Sequence, residues 1–441
     1  MVPSKVLFKL RSSTRWGEGV RSEVKIVPES RARDSPALLG VGRGITLTLE
    51  HANGKLLLER LSNNERYSAG AMRLTLVIHS LHGGGAEKTM ALMASRWAEL
   101  GHSVTLITLD SVGSDRYPLA AGVERVCLDK MAVSRSKLEA MWRNVTRVKA
   151  LRRAIRATCC DHVISFTEKV NVLVLLASAR LEARVIVCER TDPRCHSIGR
   201  AWSLLRRMTY RLSDSIVVQT DPIRDFVSQF AARVPIHVVP NCVWSQSLTN
   251  DLADCCDRPK RIIALGRLVA SKGFDLLIRA FAEIAREQVD WELKIFGEGP
   301  ERSKLESLIA ELQLENRVHL PGWCAEPASV LSQAQVFVMS SLYEGFPNAL
   351  LEAMAMGLAP ISFDCESGPR EIIRHEVDGI LVPAQDVTAL SRALKSLLTN
   401  GEQRYRIAAK ACEVRDRFSE SKYFEHWERI LAAGTSRERG F

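Results

Sequence analysis

Two carboxylates frame a turn in "SSLYEGFPNALLEAMAMG", residues 340–357: Glu344 precedes Gly345-Phe346-Pro347, and Glu352 follows eight residues later inside a short apolar helical pattern. Pro347 suits the first turn of a helix, Asn348 is a residue type that caps one, and Gly357 is a stop signal. A carboxylate in those first turns can accept two hydrogen bonds from vicinal hydroxyls, as a ribose would offer. The simpler alternative is that both carboxylates only complement the helix dipole or cap surface loops. Upstream, "GRLVASKGFD" (266–275) places Gly266, Arg267 and Lys272 between an apolar run and another helical pattern. Two cations beside a helix amino terminus would suit a diphosphate, although a solvated Arg and Lys on a loop fit the spacing equally.

Glycines recur at comparable places. "HGGGAEK", from His82, includes Gly84 and Gly85 where a helix begins, so backbone N–H groups there can approach an anion or a sugar. The stretch has neither the G-x-G-x-x-G spacing of a dinucleotide fingerprint nor the Lys-Ser/Thr of a Walker loop, and a flexible turn remains the alternative. "IFGEGPERSKL" supplies Gly297 and Gly299, and "HLPGW" supplies Gly322, at strand ends where a base or ribose could lie against the backbone. Such glycines also serve ordinary turns.

The elements that must position these residues are short apolar runs alternating with helical patterns. "RLTLVIHS", "HSVTLITLD", "DHVISF", "RVIVCER", "SIVVQT" and "PIHVVPN" read as strands, with "AEKTMALMASRWAEL" and "DPIRDFVSQFAAR" as helices. The pattern lapses over 244–260 into polar, turn-prone residues, a linker signal. A second series follows: "RIIALG", "WELKIFG", "RVHLPG", "VFVMSS", "APISFD" and "GILVPA" as strands, with helices between them. The expected class is α/β, with two Rossmann-like doubly wound domains facing a cleft, at 72–243 and 261–418. Ligands in such sheets bind beyond the carboxyl ends of the strands. Residues 1–71 lack sustained periodicity, carry 12 Lys/Arg against 7 Asp/Glu, and have no uninterrupted apolar segment of a secretory signal. They read as a poorly ordered extension preceding Met72.

Composition narrows the partners. The 441 residues are 46% apolar with a formal charge of +10, which allows substantial cores and favours an anionic partner. Eleven cysteines, scattered and without zinc-like spacing, point to a reduced cytosolic chain with no structural metal. The longest nearly apolar stretch, "VNVLVLLASA", is about half of a membrane span.

Taken in order, "GRL…KG", "GEGP", "EGFPNALLEAMAMG" and "SGPREII…DGILVP" resemble the carboxyl-terminal half of retaining glycosyltransferases of family four, which have the glycosyltransferase B fold. The resemblance spans Met72 to Trp427 and implies that a helix over 419–433 packs back on the first domain. It implies a nucleotide-sugar site in which Glu352 binds the ribose, Arg267 and Lys272 hold and stabilise the departing diphosphate, and Glu344 faces the donor sugar. Backbone amides around Gly345, Phe346 and Asn348 would complete that pocket, with Gly266, Gly297 and Gly299 beside it and the Gly84-Gly85 loop closing over the phosphates. No metal or cofactor is expected, because cations and loop dipoles replace one. Many members carry a His or Asp after the fourth strand of the first domain, whereas this chain reads "VISFTEKVN", leaving Ser165, Thr167 or Glu168 to stand in. "CERTDP", with Glu189 and Arg190, resembles an element of members that extend lipid-diphosphate-linked saccharides. Arg190 would meet the acceptor's diphosphate or form a structural ion pair.

The positive charge is concentrated in the first domain. Residues 137–157 carry seven Lys/Arg against one Glu, interleaved with Met141, Trp142, Val145 and Val148, and "IGRAWSLLRRMTYRLSD" repeats the theme. Basic amphipathic helices bearing an aromatic residue suit an anionic membrane surface, or a packed helix with a solvated face. Nucleic acid is disfavoured, since no reader motif accompanies the charge. The expectation is therefore a peripheral protein on the inner face of the cytoplasmic membrane. It would transfer a hexose or N-acetylhexosamine from a UDP-linked donor to a polyprenyl-diphosphate-linked saccharide, as α-1,4-N-acetylgalactosaminyltransferases do. An isomerase of the nucleotide-sugar 2-epimerase type, sharing the fold and donors, is the alternative.

Overall fold

The computed structural model describes residues 70–131, 136–245 and 257–433, and the backbone of 38–41, 45–52 and 55–60. It divides into two units, Met1–Ser68 and Ala69–Phe441. In the first, β1 (Leu38–Val41), β2 (Ile45–Ala52) and β3 (Lys55–Arg60) form an antiparallel sheet in the order β1-β2-β3. The rest of the extension expected over residues 1–71, apart from 70–71, lies outside the described residues. The register pairs Ala52 with Lys55.

The second unit contains two parallel sheets. In its first half β4 (Arg73–Ile78), β5 (Ser103–Thr108), β6 (Val123–Cys127), β7 (His162–Phe166), β8 (Arg184–Cys188), β9 (Ser215–Val218) and β10 (Ile236–Val238) lie in the order β10-β9-β8-β7-β4-β5-β6. In the second half β11 (Arg261–Leu265), β12 (Glu292–Phe296), β13 (Val318–Gly322), β14 (Val336–Met339), β15 (Ala359–Asp364) and β16 (Ile380–Pro383) lie in the order β13-β12-β11-β14-β15-β16. Both sheets therefore run outward in two directions from their first strand, and the direction reverses between β4 and β7 and between β11 and β14. Such reversal points open a crevice beyond the strand ends. The central strands are buried on both faces, as in β4 and β7, which is why they read as apolar runs and not as alternation.

Helices α1 (Gly85–Glu99), α2 (Lys137–Thr158), α3 (Glu168–Ser178), α4 (Arg200–Thr209) and α5 (Asp221–Ala231) connect the first sheet. The second has α6 (Phe274–Ala285), α7 (Arg302–Glu311), α8 (Pro327–Leu331), α9 (Asn348–Ala355), α10 (Pro369–Ile372), α11 (Val387–Thr399), α12 (Gly401–Ala411), α13 (Val414–Arg417) and α14 (Glu420–Ala432). Their inward stripes follow the helical repeat. On α1 Met90, Met93, Ala94 and Trp97 are buried, and on α6 Phe274, Leu277, Ile278, Phe281 and Ile284.

The final helix belongs by packing to the first half. Ser419 caps α14 by accepting from the Lys422 N–H, and Tyr423, Phe424, Trp427, Ile430 and Leu431 join the core built on Trp97, Met93 and Trp244. Trp97 meets Trp427 edge-on with centroids 5.5 Å apart. The chain thus crosses between the halves twice, and the crossings touch: the Val243 N–H donates to the Phe418 carbonyl at 2.8 Å. Among the described residues no helix is long and apolar enough to cross a membrane. Because Trp427 is fully buried, Trp427→Ala should lower stability by about 3–5 kcal/mol in guanidinium unfolding; a cost within experimental error would show that α14 does not anchor the two halves.

Candidate active site

The loops after β4, β7, β11 and β14 converge at the two reversal points. Gly84 precedes α1 with extended backbone, and the Glu87 carboxylate occupies the space a side chain at Gly84 would need. Burial opposes ionisation of Glu87, but the His79 ring, 3.2 Å away, and the charge of Arg267 together hold its carboxyl below the usual range. Arg267 thus acts across the cleft, from the loop after β11 onto the helix after β4. Its side chain is exposed and has no hydrogen bond or ion pair among the described residues.

Lys272 and Glu344 form an ion pair, their side chains about one-quarter and one-seventh exposed. Both loops are pinned to one another. The Ser340 hydroxyl donates to the Lys272 carbonyl at 2.9 Å, and the Leu342 N–H to the Ser271 carbonyl at 2.8 Å. Gly266 donates to the Phe296 carbonyl at 3.0 Å, so the loops after β11 and β12 also run together. Gly297 (φ +149°) lies against the Gly266 carbonyl and Gly299 against that of Leu268, leaving no room for a Cβ at either. Contact between backbones is therefore sufficient reason for these two glycines.

Glu352 lies on α9, nearly buried, and is paired with Lys88 of α1 at 2.7 Å. Asn348 sits beside this bridge. The sequence suggested that Asn348 caps α9, but Pro347 holds the cap position and Asn348 is the first helical residue, its side chain turned into the cleft. Its amide nitrogen donates to the Gly85 carbonyl at 3.1 Å and to Thr89 at 3.2 Å, and its oxygen accepts from Asn241 at 2.5 Å. Asn241 also donates to the Phe346 carbonyl at 3.1 Å. The Phe346 ring is turned away into the core, edge-on to Phe418 at 5.5 Å, so only its backbone faces the cleft. A Cβ at Gly345 would lie 2.6 Å from the Arg190 carbonyl oxygen, which is how closely the halves approach there.

Arg190 and Glu168 occupy the ends of adjacent strands, since Phe166 pairs with Cys188 in register. The Arg190 guanidinium donates to Asn241 at 2.5 Å and lies 4.3 Å over the Phe166 ring, with its Nε unpartnered among the described residues. Ser165 is fully buried and donates to Asn171 at 2.7 Å, which removes it as an acceptor-facing group. Thr167 precedes α3 with φ +74°, ψ 144°, a region a threonine rarely occupies, and delivers Glu168 to the helix start. Glu168 is 6% exposed and its Oε1 has no partner among the described residues. Next to it Glu189, fully buried, accepts from the Tyr210 hydroxyl at 2.6 Å, and burial with the charge of Glu168 pushes its carboxyl up to about 8.

Several of these contributors were not singled out from the sequence. Lys88 stands in the quoted "HGGGAEK", and a lysine one turn into a helix that opens on glycines is a recognisable anion-facing position. Asn241 and Thr89 carry no sequence signal, since they matter only once the halves meet. Arg116, stacked 4.5 Å over Trp323 across the cleft, is equally silent in the sequence.

Comparison with known proteins agrees with this architecture. Residues 84–242 match the glycosyl transferase 4-like domain and residues 256–414 match glycosyl transferases group 1. The GalNAc-α-(1→4)-GalNAc-α-(1→3)-diNAcBac-PP-undecaprenol α-1,4-N-acetyl-D-galactosaminyltransferase of Campylobacter jejuni is 24% identical over 82% of this chain and 98% of its own. The amylovoran biosynthesis glycosyltransferase AmsD of Erwinia amylovora is 25% identical over 81% and 99%. In fold, a mutant of Staphylococcus aureus TarM in complex with Fondaparinux, α-GlcNAc-glycerol and UDP superposes with a TM-score of 0.69 at 14% identity, covering 82% of this chain and 99% of that one. With both halves matched and both reversal points facing one cleft, the chain belongs to the family-four glycosyltransferases, of the glycosyltransferase B fold.

Proposed function

We propose that the protein transfers a hexose or N-acetylhexosamine from a UDP-sugar, with retention of configuration, to a saccharide carried on a polyprenyl diphosphate. The convergence of Arg267, Lys272 and Glu344 at one reversal point, with Glu352 on the adjoining helix, is the observation that carries this reading. As the bond from the sugar C1 to the phosphate oxygen breaks, the electron pair leaves on the diphosphate. Arg267, whose side chain has no hydrogen bond or ion pair among the described residues, and Lys272, exchanging Glu344 for phosphate oxygens, neutralise that charge without a metal. Glu344, released, turns to the sugar hydroxyls. Glu352 accepts from the ribose, and the backbone of Gly345, Phe346 and Asn348 lines the pocket. The acceptor enters from the first half, towards Glu168 and Arg190, and attacks from the face that the diphosphate leaves.

The basic helices support an acceptor held in a lipid surface. On α2 Leu138, Met141 and Trp142 are 63–76% exposed, and on α4 Leu204 and Met208 are more than half exposed, among arginines and lysines. Apolar side chains left in water beside cations suit the interface of an anionic bilayer. The protein then works peripherally at the cytoplasmic membrane face, in assembly of a surface polysaccharide or related glycan. The C. jejuni and E. amylovora relatives, by their names, act on an undecaprenyl-diphosphate saccharide and in amylovoran biosynthesis.

A panel of nucleotide sugars with membrane lipid extract, read by mass spectrometry, should yield a lipid-linked product one sugar heavier. Formation of an epimer from UDP-N-acetylglucosamine without any acceptor would make the protein an isomerase instead. Arg267→Ala or Lys272→Ala should each slow transfer by about 10²–10³ while far-UV circular dichroism stays unchanged. Replacing Met141 and Trp142 together by Glu should weaken co-sedimentation with anionic vesicles by about tenfold or more, and equal binding by the variant would remove α2 from the membrane contact.

A further inference from the structure

Four charged side chains are buried at the ends of β7 and β8, where the transfer reaction proposed above places the acceptor. Glu168 enters from α3, Glu189 and Arg190 continue from β8, and Arg206 approaches from α4; they are 6%, 0%, 9% and 4% exposed. Unpaired charges at such depth are costly, and their polar atoms ordinarily find partners. Here Glu168 Oε1 and Glu189 Oε2 both have none among the described residues. The other Glu189 oxygen is held by the Tyr210 hydroxyl at 2.6 Å, and Tyr210 in turn accepts from Asn171 at 2.9 Å. Arg206 forms an ion pair with that same oxygen at 3.6 Å, too long for a hydrogen bond, and its guanidinium lies 5.7 Å from the rings of both Phe226 and Phe230. Arg190 is turned to Asn241 and Phe166.

Two unpartnered carboxyl oxygens on adjoining strand ends are most simply satisfied by one proton between them. We propose that Glu189 carries that proton and donates it as a hydrogen bond to Glu168, so that a buried acid positions the carboxylate which receives the acceptor hydroxyl. Glu189 is then a positioning residue that does not touch substrate. The groups facing it are Glu168 from α3, Arg206 from α4, Tyr210 from the turn after α4, and Cys188 and Arg190 on its own strand. Of these, Glu168 and burial favour the acid form, whereas Arg206 and the Tyr210 hydrogen bond favour the anion; the first two prevail, in keeping with a carboxyl that ionises at about pH 8. The strained Thr167 backbone precedes the start of α3, where Glu168 is withdrawn from solvent.

The decisive variant is Glu189→Gln, whose amide donates as the acid does but cannot ionise. Its transfer rate at pH 7 should stay close to wild type, and the alkaline fall of the wild-type profile, centred near pH 8, should disappear. Glu189→Ala, lacking the donor, should lose about 10- to 100-fold at pH 7, and Glu168→Gln should be impaired at every pH. A Glu189→Gln enzyme as impaired as Glu189→Ala, or one that keeps the alkaline limb, would overturn the proposal. A measurement independent of turnover separates this inference from the transferase reading. The infrared difference spectrum of wild type minus Glu189→Gln should contain a carboxylic-acid C=O band at pH 7 that is lost as pH rises through 8, and its absence at pH 7 would show that Glu189 is ionised beside Arg206. If the band is present but no sugar is transferred, the assignment of the proton stands and the proposed reaction does not.

Discussion

A carboxylate withdrawn from water needs a cation, and Glu352 finds its cation on the other half of the molecule. Lys88 reaches it at 2.7 Å from the first turn of α1, and both side chains are largely shielded. Removing either partner would strand the other charge in a poorly solvated place, a loss much larger than an exposed ion pair is worth. The separation of the halves is therefore fixed where the nucleotide-sugar chemistry would occur. The neighbouring contacts conform to this spacing: Asn348 reaches Gly85 and Thr89, Asn241 reaches Asn348 and Phe346, and Arg190 reaches Asn241.

Around that pair the site is built from backbone pressed on backbone. The loops after β11 and β12 meet at Gly266 and Gly297, the loops after β11 and β14 meet at Gly273 and Ser340, and the two halves meet at Gly345 and the Arg190 carbonyl. Such contacts leave little room for side-chain rearrangement, so Arg267, Lys272 and Glu344 project from loops that cannot drift independently. Preorganised charge of this kind acts on a leaving group without reorganising at the moment of reaction. The flexible parts are the long side chains themselves, and Lys272 and Glu344 occupy one another in this state.

Much of this was legible in the sequence, for identifiable physical reasons. Central parallel strands are apolar on both faces, so β11, β14 and β15 stood out as runs separated by helical repeats, and the motifs placed Arg267, Lys272 and Glu344 on loops after strands and Glu352 on the following helix. The edge strand β6 escaped notice because "VERVC" is only half-buried and includes two charges. Asn348 was read as a cap because local sequence offers no other partner, and its actual partners are more than a hundred residues away. Glu189 shows the same limit from the other direction: a Glu-Arg pair reads as an ion pair until the fold turns Arg190 towards Asn241.

The doubled crossing between the halves constrains how they can move. A single tether would act as a ball joint, leaving the halves free to twist, tilt and slide. Here the segment leaving the first half at Val243 runs beside the segment returning at Ser419, joined to it by a parallel bridge and by the hydrogen bond from Val243 to Phe418. Two parallel cords fastened side by side resist torsion about their own length and bend most easily in one direction. Fastened in this way, the crossings resist twisting of one half against the other, a constraint that keeps Lys88 opposite Glu352 and Asn348 opposite Gly85.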